Sequence, residues 1–324
     1  MHYSQSEKYE IILLIEQSDL GVNRTLKELK INKTTFYNWY NIYLEKGYDG
    51  LARKPSKTNG TWNKINTADR DRVVEIALEK PELSSREVAW HITDNYNYYI
   101  SESSVYRILK ANGLITIPSF RVMSASDSFY DKTTSVNQMW QTDFTYFKIF
   151  GWGWYYLSTI LDDYSRFIVT WKLCSTMKAE DVKHTLEEAL IVSNISEKTR
   201  PKLLSDNGSC YISHELKDYL EMNNMKHVRG RPMHPQTQGK IERYHRSMKN
   251  IVKLDNYFSP GQLEEKLKEF VYFYNYERYH ESLKNVTPAE VYYGKAERKL
   301  KKRKMTKNTT LKARKSQYQK FNLN

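Results

Sequence analysis

The feature that most constrains this chain is a change of hydrophobic period near residue 139. Before that point apolar residues recur at helical spacing. After it come short aromatic and β-branched runs at 139–149, 155–161 and 167–173, separated by Gly151-Trp152-Gly153 and Asp162-Asp163-Tyr164-Ser165. A period of 3.6 suits a helix and a period of 2 a strand, so one kind of element cannot satisfy both stretches. The pattern predicts an all-α N-terminal half followed by an α/β domain that opens on a three-strand meander. Further on it predicts a helix over 179–193, a strand over 202–205, a helix over 213–223, a strand over 225–228 and a long helix over 239–254. The order βββαβαβα belongs to the mixed α/β class, with a mixed five-stranded sheet.

The helical half divides in two. Ile11, Ile12, Leu14 and Ile15, then Leu26 and Leu29, then Phe36, Trp39 and Tyr43 define three short helices. Asn32 is placed to cap the third and Gly47 to end it. With Phe36 and Trp39 turned inward, Thr34, Thr35, Tyr37 and Asn38 point out, which is helix-turn-helix geometry with a face able to enter a major groove. After a polar stretch at 52–64 the pattern repeats. A helix covers 67–79, Ser84 and Glu87 form a capping box, and Ser101 caps a last helix with Val105, Ile108 and Leu109 inward and Gly113 closing it. Its outer side offers Ser103, Tyr106, Arg107 and Lys110. Three-helix bundles without a DNA role share this pattern, but two such units in one chain favour a bipartite DNA site.

Charge sharpens the partner class. The formal charge is +13, yet Lys295 to Asn324 holds twelve Lys and Arg against one acid, so about +2 remains for everything before it. Block charge of this kind reads as a solvated basic tail or a nucleic-acid contact. Cys174 and Cys210 are the only cysteines, which excludes a disulfide framework or a zinc module built from cysteine pairs. No apolar run reaches membrane-spanning length and the first residues carry no signal pattern, so the expected location is cytoplasmic, with no membrane partner.

Three acids stand apart by their settings: Asp143 within an early strand, Asp206 just past the apolar pair Leu203-Leu204, and Glu242 at the start of a helix, thirty-five residues after Asp206 not counting the ends. A buried strand carboxylate needs a partner, and strand ends of α/β sheets expose functional groups. On the helix, His245, Arg246 and Lys249 share the face of Glu242 at i+3, i+4 and i+7. Oxygen ligands suit hard divalent cations, and a neighbouring row of cations suits phosphate. Lys240, Arg246 and Lys249 are the candidate phosphate contacts there. Asp162 and Asp163 read as turn caps, Asn207 and Gly208 as shapers of the loop that presents Asp206.

The segments Trp140-Gln141-Thr142-Asp143, Leu161-Asp162-Asp163-Tyr164-Ser165-Arg166, Ser205-Asp206-Asn207-Gly208-Ser209, His234-Pro235-Gln236-Thr237-Gln238-Gly239-Lys240-Ile241-Glu242-Arg243 and Tyr274-Asn275-Tyr276-Glu277-Arg278-Tyr279-His280 resemble the core of bacterial insertion-sequence transposases of the retroviral-integrase (DDE) type. The resemblance runs from about Ser6 to Tyr293. It implies an RNase H-like core in which Asp143, Asp206 and Glu242 are both catalytic and metal-ligating, holding two Mg²⁺ ions for which Mn²⁺ can substitute. It further implies double-stranded DNA partners, namely the terminal inverted repeats of an element and a target duplex, and a homodimer or higher oligomer on DNA in a bacterial, nucleoid-associated setting. Strand cleavage followed by joining of the 3′-hydroxyl is the implied activity; a DNA-binding regulator with an inactive core and an RNase H-type nuclease are the alternatives. Two positions depart from the family: Gln238 replaces the usual Asn and Tyr279 the frequent Pro. The expected division is two helix-turn-helix domains at 1–51 and 65–118, linkers at 52–64 and 119–134, the core at 135–294 and a basic tail at 295–324.

Overall fold

The computed structural model describes residues 3–18, 20–52, 62–115, 133–230, 239–252 and 256–322. Most of both expected linkers, and the motif residues His234 to Gln238, lie outside the described residues. Compaction divides the chain into two units, Met1–Lys64 and Ile65–Asn324.

The first unit holds α1 (Gln5–Glu16), α2 (Val22–Glu28) and α3 (Lys33–Gly50). Ile12, Leu26 and Phe36 form its core with Leu51. The Asn32 side chain accepts a hydrogen bond from the Thr34 backbone N–H at 2.9 Å, satisfying a donor that the first turn of a helix leaves open. Gly47 breaks α3 where the sequence places its end, at φ +65°, a conformation that costs glycine little. Thr34, Tyr37 and Asn38 are exposed and Thr35 is half-buried.

In the second unit α4 (Thr67–Glu79), α5 (Ser85–Asn95) and α6 (Glu102–Ala111) pack around Val73, Val88, Ile92, Val105 and Leu109. Ser84 and Glu87 make the expected capping box. Ser103, Tyr106, Arg107 and Lys110 lie along the outer side of α6, and all four are exposed.

The core domain is built on β1 (Met139–Ile149), β2 (Gly153–Asp162), β3 (Ile168–Cys174), β4 (Lys202–Ser205) and β5 (His227–Arg229). Their order is β3-β2-β1-β4-β5. The meander β1-β2-β3 is antiparallel, and β4 and β5 add in parallel beside β1. This mixed five-stranded sheet is the RNase H-like arrangement that the sequence resemblance implies. Alternation along the strands sends Trp140, Ile160 and Leu203 to one face, where α7 (Ala179–Ser193) and α9 (His214–Met222) cover them with Val182, Leu186, Leu216 and Leu220. Phe147, Leu157, Leu161 and Ile168 go to the other, under α10 (Gly239–Val252) and α11 (Pro260–Tyr272). A short α8 (Ser209–Ile212) follows Asp206, and α12 (Pro288–Tyr292) follows a π-helical turn at Phe273–Glu277.

Residues 295–324, read from sequence as a basic tail, behave differently. They form α13 (Ala296–Asn322), a 27-residue helix docked on the second helical unit. Arg303 is 5% exposed and makes a two-pronged pair with Asp94 at 2.7 and 2.6 Å. Arg314, 7% exposed, donates to the Tyr98 hydroxyl at 2.6 Å and the Tyr99 carbonyl at 2.8 Å, and the Tyr99 N–H donates to Thr310 Oγ1 at 3.0 Å. The Tyr279 hydroxyl donates to Asp94 Oδ2 at 3.2 Å, so the residue that departs from the family pattern links the core domain to α5. Burial and then Asp94 push that phenol well up.

Candidate functional site

The parallel pairing of β1 with β4 sets Gln141 opposite Leu204. Two residues further on stand Asp143, within β1, and Asp206, the first residue past the end of β4, so the register carries these acids forward on neighbouring segments; paired strand axes lie about 4.8 Å apart. Both act on the segment that follows Asp206. Burial pushes the Cys210 thiol up to about 11, with Asp206 and Asp143 adding to it, and burial together with the same two carboxylates holds the Tyr211 hydroxyl well above its ordinary range. Asp206 is exposed, and its Oδ1 accepts from the Gly208 backbone N–H at 2.9 Å. A Cβ on Gly208 would stand 3.0 Å from that oxygen, so the glycine lets the loop close around the carboxylate. Asn207 anchors the same loop by donating to the Gly230 carbonyl at 2.9 Å.

Glu242 arrives from the other side. On α10 the apolar residues Ile241, Tyr244, Met248 and Val252 face the sheet, which leaves Glu242 and Arg246 exposed at the margin. His245, buried at 6%, turns toward β1 and its Nδ1 is 3.3 Å from Asp143 Oδ2. The Glu242 carboxyl is pushed up from its ordinary value, first because its surroundings strip part of its water and second by the negative charge of Asp143; Arg246, Arg243 and His245 act in the opposite sense. Glu242 therefore lies within electrostatic reach of Asp143.

The sequence does not announce how the start of α10 is held there. The Gln141 side chain, 1% exposed, donates from Nε2 to Asp163 Oδ1 at 2.7 Å and accepts from the Ile241 backbone N–H at 3.1 Å. Lys240 Nζ donates to Asp163 Oδ2 at 2.5 Å and to the Asp163 carbonyl at 2.9 Å. Asp163 also accepts from Thr133 Oγ1 at 2.5 Å. This buried network ties the β1 residue two before Asp143 to the α10 residues just before Glu242. Lys240, a candidate phosphate contact from sequence, therefore directs its ammonium inward to Asp163. Lys249 lies over the Tyr146 ring at 4.8 Å, and Arg246 is exposed beside Glu242. Asp162 caps the turn as its position predicts: its carboxylate accepts from the Ser165 N–H and hydroxyl at 2.8 and 2.6 Å and from the Asn137 N–H at 2.7 Å.

Arg278 and His280 lie against the Tyr274 ring. Arg278 lies 5.6 Å from the Tyr274 ring centroid, and His280 meets the same ring edge-on at 4.9 Å. Burial, then Arg278, Arg166 and Arg86, push the His280 imidazole down to about 3, so it stays neutral.

The three acids are hard oxygen donors that repel one another, which is the chemistry a divalent cation satisfies. Among the described residues no group of three or more His, Cys, Asp or Glu side chains stands at metal-ligand spacing. Asp143 instead meets His245.

An integrase core domain matches residues 133–235, a second integrase core description matches 223–288, and a homeodomain-like domain matches 35–109. The transposase for transposon Tn552 of Staphylococcus aureus is 25% identical over 82% of this chain and 60% of its own length. The Gag-Pro-Pol polyprotein of Simian retrovirus SRV-1 is 31% identical over 36% of this chain, and this chain spans only 6% of that polyprotein. Among solved structures, the simian T-cell lymphotropic virus intasome in complex with PP2A regulatory subunit B56 gamma aligns over 68% of this chain and 74% of its own, at 17% identity and a TM-score of 0.45. The chain thus carries an integrase core domain across 133–288 with a homeodomain-like segment ahead of it.

Proposed function

We propose that the protein is a DNA transposase that binds the terminal inverted repeats of an insertion sequence, cleaves a strand at the element end and joins the resulting 3′-hydroxyl to target DNA. The observation that supports the reading is the parallel register that sets Asp143 on β1 alongside Asp206 just past the end of β4, with Glu242 on α10 within reach of the Asp143 charge. In this reading Asp143, Asp206 and Glu242 are the catalytic carboxylates and hold two Mg²⁺ ions, with Mn²⁺ as a substitute. When bound, such ions supply Lewis acidity toward the phosphodiester.

The chain's own groups do the positioning. His245 steadies Asp143, the Gly208 N–H steadies Asp206, and the Gln141-Asp163-Lys240 network sets the start of α10. Joining forms a P–O bond between the 3′-oxygen and the target phosphorus as the in-line P–O bond breaks; the attacking oxygen loses its proton and the departing 3′-oxygen gains one. Arg246 and Lys249 are the phosphate contacts on the α10 side, and Lys240 contributes by holding the helix. The exposed Tyr37 and Asn38, with Thr34 and Thr35, read one part of the repeat, and Ser103, Tyr106, Arg107 and Lys110 the other. Joining two ends calls for two such sites held together, hence a homodimer or larger assembly on DNA. The division into two helix-turn-helix domains, a core at 135–294 and a C-terminal extension belongs to the same proposal. Among the described residues no helix is long and apolar enough to cross a membrane.

The test is a nicking and strand-transfer assay on DNA carrying the sequences that flank the gene, with Mg²⁺. Cleaved and joined products are expected, and Asp206→Asn should lower both by at least about 10³-fold. Activity that survives this substitution sinks the site assignment, and ordered DNA binding with no cleavage at all supports an inactive regulator instead.

A further inference from the structure

Helix α13 has two faces of different character. At about 100° per residue, Arg303, Thr310 and Arg314 share the side that docks on Asp94, Tyr98 and Tyr99. Arg298, Lys301, Lys312 and Lys315 lie on the opposite side, with Lys302 and Lys304 on its flanks, and all six are exposed. Lys299 and Arg303, on the docked side, pair with acids: Lys299 with Asp94 and Glu290, and Arg303 with Asp94. The helix's own single acid is Glu297, in the first turn. Like charges three and four residues apart each destabilise a helix by about 0.2–0.5 kcal/mol, so the outward face is self-repelling and is held straight by its docking to α5 and the α5–α6 turn. A polyanion lying along it relieves that repulsion.

The docking also fixes where such a polyanion runs. Lys307 lies 5.0 Å from the Tyr99 ring centroid, and Tyr98 and Tyr99 immediately precede the Ile100-Ser101 entry into α6. The middle of α13 therefore passes the N-terminal end of α6, the end that a recognition helix directs into the major groove. From Arg298 to Lys315 the rise along the helix is roughly 25 Å, about three-quarters of a turn of B-form duplex.

We propose that the outward face of α13 is a backbone rail for double-stranded DNA, engaging phosphates of the same duplex that α6 reads, outside the bases that α6 contacts. The proposal rests on the reading of α6 as a DNA-recognition helix, and its contacts are sequence-independent because they are to phosphates.

Binding of the full chain to a random-sequence duplex of about 40 base pairs, in EDTA and between about 50 and 200 mM salt, tests it. The combined Lys301→Gln, Lys312→Gln and Lys315→Gln variant should show a log K against log salt slope shallower by about 2 to 3, and binding near 0.1 M weakened by about 10²-fold. The corresponding three Lys→Arg changes should retain the slope, and circular dichroism should show the helix content retained in both. A glutamine variant that folds and keeps the parent slope overturns the rail, as does an arginine variant that loses it. Either result is independent of the strand-transfer assay, because no cleavage is measured; a failed transferase reading with a shifted slope leaves the rail standing.

Discussion

Replacing Asp163 by alanine should loosen the start of α10 far more than a single acid in a turn would suggest. The side chain is 4% exposed and takes hydrogen bonds from Lys240, Gln141 and Thr133. Removing one member of a buried ion pair costs about 3–5 kcal/mol, because the remaining charge is left without its partner. Lys240 is 23% exposed and can find water, which places this case near the lower end. The Gln141 amide is 1% exposed and cannot, and a buried donor left unsatisfied costs about 1–3 kcal/mol. The two losses share one network and do not add in full, so a total of about 3–4 kcal/mol is expected. Lys240→Met should cost about 2 kcal/mol, since Asp163 keeps two neutral donors. The double variant should then fall short of additivity by about 1.5 kcal/mol or more. Hydrogen exchange read by mass spectrometry on peptides from 239–252 isolates the affected element in a chain that need not unfold as one unit. Protection there should drop by about 10²-fold in Asp163→Ala, while the α4–α6 peptides stay near the parent. Since a displacement of about 1 Å at a reacting group can cost 10²-fold in rate, the strand cleavage proposed above should fall at least as far. Unchanged exchange in 239–252, or coupling below about 0.5 kcal/mol, refutes the idea that Asp163 positions Glu242 through Lys240 and Gln141.

Two further outcomes follow from the core. His280 is held near 3 in the folded chain, below the ordinary histidine value of 6.5, so the unfolded state takes up a proton first as pH falls; its contribution is complete above about 6.5 and is lost at about 1.4 kcal/mol per pH unit below it. His280→Phe should remove that slope from urea midpoints measured between about pH 7 and pH 5, and parallel curves for variant and parent would contradict the burial of a neutral imidazole. Asn275 clips the edge strand β3 by accepting from the Ile168 N–H at 2.9 Å and donating to the Ile168 carbonyl at 3.0 Å. Asn275→Ala should cost about 2–4 kcal/mol by stranding both groups, whereas a loss under about 1 kcal/mol in urea unfolding would mean that the edge finds other partners.

How far residues could be read in advance depended on the range of the forces that place them. Asn32, Ser84 and Ser101 cap their helices through bonds to the next few residues, so their roles are written locally. Asp162, expected to close a turn, does so through Ser165. Lys240 reads from sequence as a phosphate contact because it stands on a helix that carries a row of cations, but its partner is 77 residues earlier in the chain. Gln141 carries no chemistry of its own and had no signal beyond standing near Asp143. The C-terminal segment has no apolar stripe, so nothing in its pattern called for a docked helix; its anchors are Arg303 and Arg314, whose partners lie about 210 residues away.

By itself, then, the sequence determined the α to α/β order, the strands, the capped helices and the three acids with their settings, because periodicity, turn chemistry and caps act over a few residues. Only the tertiary structure decided that Asp163, Gln141 and Lys240 hold α10 against β1, that Asp94 gathers Arg303, Lys299 and Tyr279, and that the basic C-terminal segment is a strut with one face docked and one face turned outward. Those outcomes turn on buried charges finding partners far apart in the chain. Burial makes an unpartnered charge expensive enough to choose the packing, and a linear pattern does not record which distant residue will meet it.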